Sequence, residues 1–364
     1  MKIAFFHELT PLSGARKVVE EYGKILRKDH SIDLFYVDDI EDKKVKKIFN
    51  KVYYFKFKFK KYEGNNWKTR LYKDSIELLK LYFLHKKISN IIKGNKYDFI
   101  FINPSKFTQA PFLLRFIEKS VYFCEEPLRI VYDNLFEFSK DINSIKKIYE
   151  KLNRKVRKFI DKDNIKKANI VLANSQFTKD NINKAYGIKA CLCYLGVAPK
   201  KFLPLTIKKE YDLLFIGEKN NIEGYDLLED VIKLYKQAPK VMIVVRDIDG
   251  NGISEENLIK EYNKSKIVLT LSKNEPFGLS IIEAMACGVP VIALNEGGFK
   301  ESVVDNKTGF LIKRNPYDLK AKIDLLLEDD NLRDRLGKAG RNRVLTNFTW
   351  KISVSNFLKF IRNL

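Results

Sequence analysis

The 364-residue chain has few of the residues that build metal and disulfide sites. It contains four cysteines and three histidines, and the cysteines show no spacing typical of zinc ligands. The cysteines are Cys124, Cys191, Cys193 and Cys287, and the histidines are His7, His30 and His85. We therefore predict neither a zinc site nor a disulfide framework, and we expect a reducing compartment.

Long apolar runs are also absent. No run of about eighteen uncharged apolar residues occurs, which predicts that no segment spans a membrane. The N-terminal stretch MKIAFFHELTP is apolar over too few residues for a signal peptide and predicts a first buried strand instead. We expect a cytoplasmic protein.

Short apolar runs alternate with amphipathic helical patterns along the chain. This order predicts an α/β protein with parallel sheets covered by helices on both faces, and the length predicts two domains. Candidate strands are Ile3–Phe6, Ile32–Val37, Phe99–Ile102, Ser120–Cys124, Ile170–Ala173, Leu213–Ile216, Val241–Val245, Ile267–Leu271, Val291–Leu294 and Gly309–Ile312. Candidate helices include Lys17–Lys28, Asp226–Gln237 and Leu319–Leu327.

The domain boundary is predicted in the aperiodic stretch Tyr194–Asp212, which contains Gly196, Pro199 and Pro204. We predict a first domain of residues 1–203 and a second domain of residues 204–345.

The positive charge of the chain is concentrated in one segment. The formal net charge is +22, and Lys43–Lys96 contains 17 basic residues and 3 acids, so this segment carries 17 − 3 = +14. Within it, aromatic residues and lysines alternate from Phe55 to Lys60, which as a strand gives an aromatic face and a lysine face. The segment is either a functional surface or an edge strand whose lysines prevent edge pairing.

Two acids frame the start of a predicted short helix in NEPFGLSIIEAMACGVP. The helix runs from Leu279 to Cys287 and Gly288 suits its C-terminal cap. Glu275 precedes the helix N-terminus, where free N–H groups favour an anionic ligand, and Glu283 lies on one flank. The acids could accept hydrogen bonds from sugar hydroxyls and a ribose diol. Alternatively, Glu283 is a polar residue facing solvent.

The longer string from Asn274 to Ile312 resembles glycosyltransferase family 4, the retaining GT-B enzymes. The donor-site signature of that family is an acid, seven residues and a second acid, followed by a small-residue helix and a Gly-Gly loop; here these are Glu275, Glu283 and Gly297–Gly298. The resemblance extends to Ala168–Gly187, to the first strand, loop and helix, and to a final helix within 346–364. VYFCEEPLRIVYD resembles a segment of a mannosyltransferase-like branch.

The resemblance implies a GT-B fold, with two Rossmann-like domains whose parallel sheets face each other across a cleft and a C-terminal helix that crosses back to the first domain. It implies transfer of a hexose from a nucleotide-diphosphate sugar to a hydroxyl acceptor with retention. The acceptor would be a lipid-linked glycan, a glycolipid or a protein glycan. No metal and no further cofactor are expected, because a helix N-terminus and basic side chains neutralise the leaving diphosphate.

The resemblance also implies roles for individual residues. Glu275 would hold donor-sugar hydroxyls and Glu283 would bind the ribose. Gly14 would let the first loop approach the diphosphate, and Ile253 would line the base pocket through its backbone. The other donor-binding candidates of the Glu275 segment are Pro276, Phe277, Gly278, Leu279 and Ser280.

The sequence departs from the family at the diphosphate. Family members carry an Arg and a Lys after the first strand of the second domain, where this chain has Glu218 and Glu223. Two acids facing a diphosphate are repulsive. Lys219 and Arg246 are the candidate replacements. The absence of the basic pair also supports an alternative function. In that case the protein would bind sugar nucleotides or glycans but would be catalytically impaired.

A second departure concerns the first domain. The family histidine expected in the FCEEPLR segment is replaced by Glu125 and Glu126. Glu126 could act as an acceptor-side base, or it could form an ion pair with Arg129. His7 is a second catalytic candidate, or else a packed histidine at a strand end.

The basic segment suggests two partners. Family members with lipid-linked acceptors dock on anionic membranes through basic, aromatic patches, so 43–96 could hold this protein at the inner face of a membrane. The alternative is a solvated lysine surface over core aromatics. Nucleic-acid binding is also compatible with the charge. Because the sequence contains no nucleic-acid-binding motif, we do not expect a nucleic acid as a partner.

Overall fold

The computed structural model describes residues 1–8, 14–58, 67–136, 143–245 and 253–362. The chain forms two compact units. The first consists of residues 1–174, 178–192 and 357–364, and the second of residues 175–177 and 193–356. The sequence predicted the boundary after residue 203, whereas the first unit ends its main run at Leu192.

The first unit is built on a sheet of seven parallel strands, in the order β3-β2-β1-β4-β5-β6-β7. Its central strands are apolar without alternation because helices cover both faces of the sheet. The strands are β1 Lys2–Glu8, β2 Ser31–Asp38, β3 Lys51–Lys56, β4 Phe99–Ile102, β5 Ser120–Cys124, β6 Ile170–Ala173 and β7 Cys191–Leu192. The helices of this part of the chain are α1 Gly14–Leu26, α2 Trp67–Tyr72, α3 Leu78–Gly94, α4 Arg129–Tyr132, α5 Ser144–Ile165 and α6 Gln176–Tyr186, with a π-helical turn at Lys73–Glu77.

The second unit contains a sheet of five parallel strands in the order β12-β11-β10-β8-β9. The strands are β8 Tyr211–Ile216, β9 Val241–Val244, β10 Ser265–Thr270, β11 Val291–Leu294 and β12 Gly309–Ile312. The helices are α7 Tyr225–Lys233, α8 Glu255–Lys264, α9 Leu279–Ala286, α10 Phe299–Ser302, α11 Pro316–Glu328, α12 Asp330–Asn347 and α13 Trp350–Ile361. Two parallel-sheet, Rossmann-like domains are thus confirmed.

The final helix α13 begins in the second unit, and its residues from Phe357 onward count with the first. The Phe357 ring lies 5.3 Å from the rings of both Tyr22 and Phe101 in the core of the first unit. The predicted return of the C-terminal helix to the first domain therefore has a physical cause, the burial of this aromatic side chain.

The alternating aromatic and lysine stretch begins in an edge strand, which ends at Lys56. β3 is the last strand of its sheet, and Tyr53, Phe55 and Phe57 pack against the main core of the first unit. Phe49, which precedes β3, is buried. The edge-strand interpretation therefore holds for Phe55 and Lys56, and these four aromatic rings belong to the core. Phe59, Lys60 and Lys61 lie outside the described residues.

Candidate donor-sugar site

Loops at the carboxyl edge of the second sheet meet where the strand order reverses. The chain passes from β8 to β9 on one side and places β10 on the other. In parallel α/β sheets, ligands bind in the crevice at such a reversal. Gly217 follows β8 and Ser272 follows β10, so these residues mark the predicted position of a ligand.

The loop that carries Glu275 is fixed through its backbone. Asn274 adopts a φ of 51°, and its N–H donates to Glu296 Oε1 at 3.1 Å. The N–H of Gly298 donates to the carbonyl oxygen of Glu275 at 2.8 Å. The Gly297–Gly298 loop therefore fixes the backbone of Glu275, the residue that the sequence assigned to the donor sugar.

The two glycines of that loop are required by close backbone contacts. A Cβ atom on Gly297, whose φ is 58°, would lie 2.5 Å from the carbonyl oxygen of Glu275. A Cβ atom on Gly298 would lie 2.3 Å from the carbonyl oxygen of Pro276. Neither distance is sterically possible, so a larger residue must displace the loop.

Helix α9 begins directly after this loop. Gly278 precedes it with a φ of 86°, a left-handed conformation that suits glycine. Leu279 is buried, and the half-buried Ser280 lies in the first turn, where backbone N–H groups lack helical partners. Phe277 is buried against the rings of Tyr194 and Phe348, at centroid distances of 6.0 Å and 5.8 Å. Aromatic packing around Phe277 therefore fixes the start of α9.

Glu283 is buried, so the alternative that it is a polar residue facing solvent is wrong. Its exposed fraction is 1%, and its Oε2 accepts a hydrogen bond from the hydroxyl of Tyr262 at 3.0 Å. Tyr262 is fully buried on α8. Sequence reasoning missed Tyr262, because nothing in its neighbourhood marks it as a partner of a carboxylate 21 residues further along the chain.

Two of the remaining donor-side candidates follow strands at the carboxyl edge of the second sheet. The N–H of Ile253 donates to the carbonyl oxygen of Val245, just after β9, at 3.4 Å, so Ile253 lies at the carboxyl edge of the sheet. The exposed Lys219 follows β8, with its Nζ 5.8 Å from the centre of the Tyr225 ring. Arg246 lies outside the described residues.

The acid at position 223 faces the point where the strand order reverses. Glu223 Oε2 accepts a hydrogen bond from the Ser272 hydroxyl at 2.7 Å. The same oxygen lies 3.1 Å from the position of a Cβ on Gly217. Glu218 is exposed, and its Oε2 accepts from the Asn220 amide at 3.1 Å. Of the two acids, Glu223 is thus the one at the predicted ligand position.

We expect Glu223→Gln to tighten binding of a nucleoside diphosphate about fivefold, because it removes a negative charge worth about 1 kcal/mol of repulsion. Isothermal titration calorimetry at low salt measures the change. Glu218→Gln is the matched control and should have a smaller effect, since solvent screens its exposed carboxylate. Weaker binding by Glu223→Gln would show that the carboxylate favours the ligand-bound state.

In the first unit, His7 is a buried residue of β1. Its side chain is 1% exposed, and neither ring nitrogen has a hydrogen-bond partner among the described residues. Burial, and then the positive charge of Arg16, lower the pKa of His7 to about 3. His7 is therefore a neutral imidazole at pH 7. The predicted first loop spans residues 9–13, which lie outside the described residues, and Gly14 is the first residue of α1.

Glu126 participates in the ion pair that the sequence offered as its alternative role. Its Oε2 lies 3.7 Å from Arg129 Nε, and Arg129 also contacts Asp133 Oδ2 at 3.2 Å. The carboxylate stays about one-third exposed. The geometry therefore leaves Glu126 accessible while a cation lies beside it.

Sequence reasoning also missed a buried contact between a histidine and a carboxylate at the end of β1. His85 Nε2 lies 3.3 Å from Glu8 Oε1, and both side chains are essentially inaccessible to solvent. Glu8 Oε2 accepts the backbone N–H of Lys106 at 3.0 Å. The pair therefore joins β1, α3 and the loop after β4, three segments that no local pattern connects.

Within the described ranges, no three His, Cys, Asp or Glu side chains come together as ligands for a metal ion. Among these same residues, no helix has the length and hydropathy needed to cross a membrane.

The two Rossmann-like domains, with parallel sheets of seven and five strands, define the GT-B fold of glycosyltransferases. Sucrose-phosphate synthase from Thermosynechococcus elongatus has this fold, with a TM-score of 0.73 and 17% identity over 100% of this chain and 98% of that one. An Anabaena protein solved with UDP-glucose superposes with a TM-score of 0.70 and 18% identity, and both chains are fully covered.

The match to a family model lies in the second domain. Residues 205–343 match the family model described as glycosyl transferases group 1. An uncharacterized glycosyltransferase of Methanocaldococcus jannaschii is 29% identical over 218 residues, which are 53% of this chain and 59% of that protein. The chain spans about three-fifths of the length of the first curated relatives that it matches. The match covers the Glu275–Gly298 loop and α9.

Proposed function

We propose that the protein transfers a hexose from a nucleotide-diphosphate sugar to a hydroxyl acceptor, with retention of anomeric configuration. One observation carries the proposal: Glu275 is fixed by the Gly297–Gly298 loop, directly before the start of α9, with the Glu283 carboxylate on the same helix. The family match over 205–343 and the UDP-glucose held by the Anabaena protein of the same fold support it.

On the donor side, each described residue has a role that follows from its position. Glu275 accepts hydrogen bonds from sugar hydroxyls, and the backbone from Phe277 to Leu279 borders the sugar. Ser280 and the N–H groups of the first turn of α9 lie towards the phosphates, where the helix dipole favours negative charge. Glu283 binds the ribose diol, and Ile253 borders the base.

Lys219 and Arg246 are the proposed cations for the diphosphate. They replace the basic pair whose positions are occupied by Glu218 and Glu223. Neutralisation by these side chains and by the helix N-terminus removes the need for a metal ion in the proposal.

The proposed reaction proceeds on one face of the sugar. The acceptor hydroxyl oxygen attacks the anomeric carbon from the face that the diphosphate leaves. The bond between this carbon and the phosphate oxygen breaks, and the leaving diphosphate takes the hydroxyl proton. Glu126 is the alternative acceptor of this proton, in place of the diphosphate, and His7 is a neutral catalytic candidate of the first domain.

The acceptor is proposed to be a glycan or a lipid-linked glycan used in the cytoplasm. The four free cysteines fit a reducing compartment. The resemblance of Val121–Asp133 to a mannosyltransferase-like branch favours a hexose as the transferred sugar. The basic residues of 43–96 favour an acceptor at the inner face of an anionic membrane.

A thermal-shift panel of nucleoside diphosphates and their sugars tests the donor assignment. A ligand at about one hundred times its dissociation constant should add about 2.7 kcal/mol to the free energy of unfolding. Release of nucleoside diphosphate from the stabilising donor then measures catalysis. Binding without release or transfer would support the impaired-binder alternative, and stabilisation by no member of the panel would overturn the proposal.

A further inference from the structure

Helix α5 exposes a continuous apolar stripe. Ile145, Ile148, Leu152, Val156 and Phe159 follow one another at intervals of three or four residues, so they share one face of the helix. Their exposed fractions are 79%, 61%, 58%, 47% and 72%. Single exposed apolar residues are common, but an uninterrupted row of five on one helix marks a binding surface.

The face of α5 about a quarter-turn from the stripe is polar and points into the protein, since each of its residues directly follows a residue of the stripe. Tyr149, Asn153 and Arg157 all donate to the Asp74 carboxylate, at 3.0, 2.7 and 2.6 Å. Asp74, in the π-helical turn, is only 7% exposed. From Ser144 to Phe159 the usual orientation of a surface helix is thus reversed, because polar side chains face the domain and the apolar stripe faces solvent. Ile160 and Ile165 pack into the domain in the usual way.

The neighbouring helical segment adds a second apolar row. Leu79 and Phe83 on α3 are 56% and 57% exposed, and Leu71 and Ile76 before them are 45% and 47% exposed. The buried carboxylate of Asp74, which lies in this segment, binds Arg157 of α5. The two apolar rows are therefore connected within one domain. We call α5 together with Leu71, Ile76, Leu79 and Phe83 the apolar platform.

The charge on α5 identifies the kind of partner. The helix has eight basic residues and three acids, and the acids face the protein or form pairs. Glu150 and Asp161 are buried, and Asp163 contacts Arg115 at 2.9 Å. The exposed basic residues of the helix are Lys146, Lys147, Lys151, Lys155 and Lys158. A second copy of this helix would bring the same positive charge, so self-association is disfavoured, whereas an anionic surface is complementary.

We propose that the apolar platform lies in the interface of an anionic membrane, with the α5 stripe inserted and its lysines at the lipid phosphates. A basic amphipathic helix with bulky apolar residues has the physical properties of an interfacial element. The described aromatic side chains of 43–58 pack in the core and cannot be such anchors, so the insertion surface lies on α5 and α3 rather than on β3. The proposal does not depend on the transfer reaction.

Co-sedimentation of the full chain with vesicles tests the proposal. We expect binding to vesicles of phosphatidylglycerol and phosphatidylcholine, weaker binding to pure phosphatidylcholine, and release at high salt. The triple substitution Ile148→Ser, Leu152→Ser and Phe159→Ser should reduce partitioning about tenfold or more, because the inserted apolar area is lost. The matched control is Tyr317→Ser with Leu325→Ser, which removes exposed apolar residues of the second unit and should leave partitioning unchanged.

Two results would overturn the proposal. One is equal partitioning of the triple variant and the wild type. The other is a concentration-dependent dimer, seen by sedimentation velocity and abolished by the same triple substitution, which would assign the platform to self-association. Circular dichroism and the thermal midpoint of each variant verify that it is folded. A protein that binds vesicles but no sugar nucleotide would reject only the proposed transfer reaction.

Discussion

Glu283→Ala is expected to weaken binding of a nucleotide-diphosphate sugar by about 10- to 150-fold. The change corresponds to about 1.5–3 kcal/mol, the contribution of one charge-assisted hydrogen bond to a buried carboxylate. The side chain is 1% exposed and lies on α9, which follows the Glu275 loop directly. Titration calorimetry with the donor that the thermal-shift panel identifies measures the loss.

The buried contact with Tyr262 makes two controls necessary. Glu283→Ala leaves the Tyr262 hydroxyl without its acceptor, which costs about 1–3 kcal/mol of stability by itself. Tyr262→Phe removes the same hydrogen bond but keeps the carboxylate. If Glu283 binds ribose, Tyr262→Phe lowers the thermal midpoint yet retains most of the donor affinity. Equal affinity losses in both variants would assign Glu283 to structural support alone.

Most strands of the fold could be predicted because they are buried on both faces, whereas the two-residue β7 was not among the candidates. Runs such as Phe99–Ile102 and Val291–Leu294 are apolar throughout, and the structure has strands with those bounds. The edge strand β3 was harder to delimit, since its pattern continued beyond Lys56, where the strand ends. Edge strands have only one neighbour, so their ends depend on that neighbour rather than on their own sequence.

The loop and helix of the candidate site could also be predicted, because their order is local in the chain. Glu275, the left-handed Gly278 and the start at Leu279 lie within five residues of each other. The burial of Glu283 could not be predicted, because it depends on Tyr262 in a different helix. Spacing places a residue on a helix, but it does not reveal which side of the helix another element covers.

Helix α5 illustrates the same limit more clearly. Its sequence has an apolar row and a basic row, and such a pattern is ordinarily interpreted with the apolar row inward. In the structure, Asp74 binds the polar row and the apolar row is exposed. Asp74 lies 75 to 83 positions before its partners on α5, so no window over α5 contains it.

Glu275→Ala is expected to reduce turnover about a hundredfold, with a much smaller change in affinity for the nucleoside diphosphate. The carboxylate is proposed to orient the sugar at the reacting carbon, and misplacement by about 1 Å can reduce a rate by about two orders of magnitude. Single-turnover kinetics at saturating donor measures the rate, and calorimetry with the diphosphate alone measures the affinity. A loss confined to affinity would move Glu275 from the sugar to the diphosphate.

A substitution that displaces the backbone tests the proposed role of Glu275 independently of its side chain. Gly298→Ala leaves the Glu275 side chain intact but places a Cβ 2.3 Å from the Pro276 carbonyl oxygen, so the loop has to shift. If the position of the carboxylate limits the rate, this variant should lose turnover to a similar extent. The control Gly94→Ala introduces the same methyl group where no heavy atom lies within 4 Å and should leave turnover unchanged. Wild-type turnover in Gly298→Ala would show that the reaction tolerates a displaced loop, and would remove Glu275 from the proposed catalytic geometry.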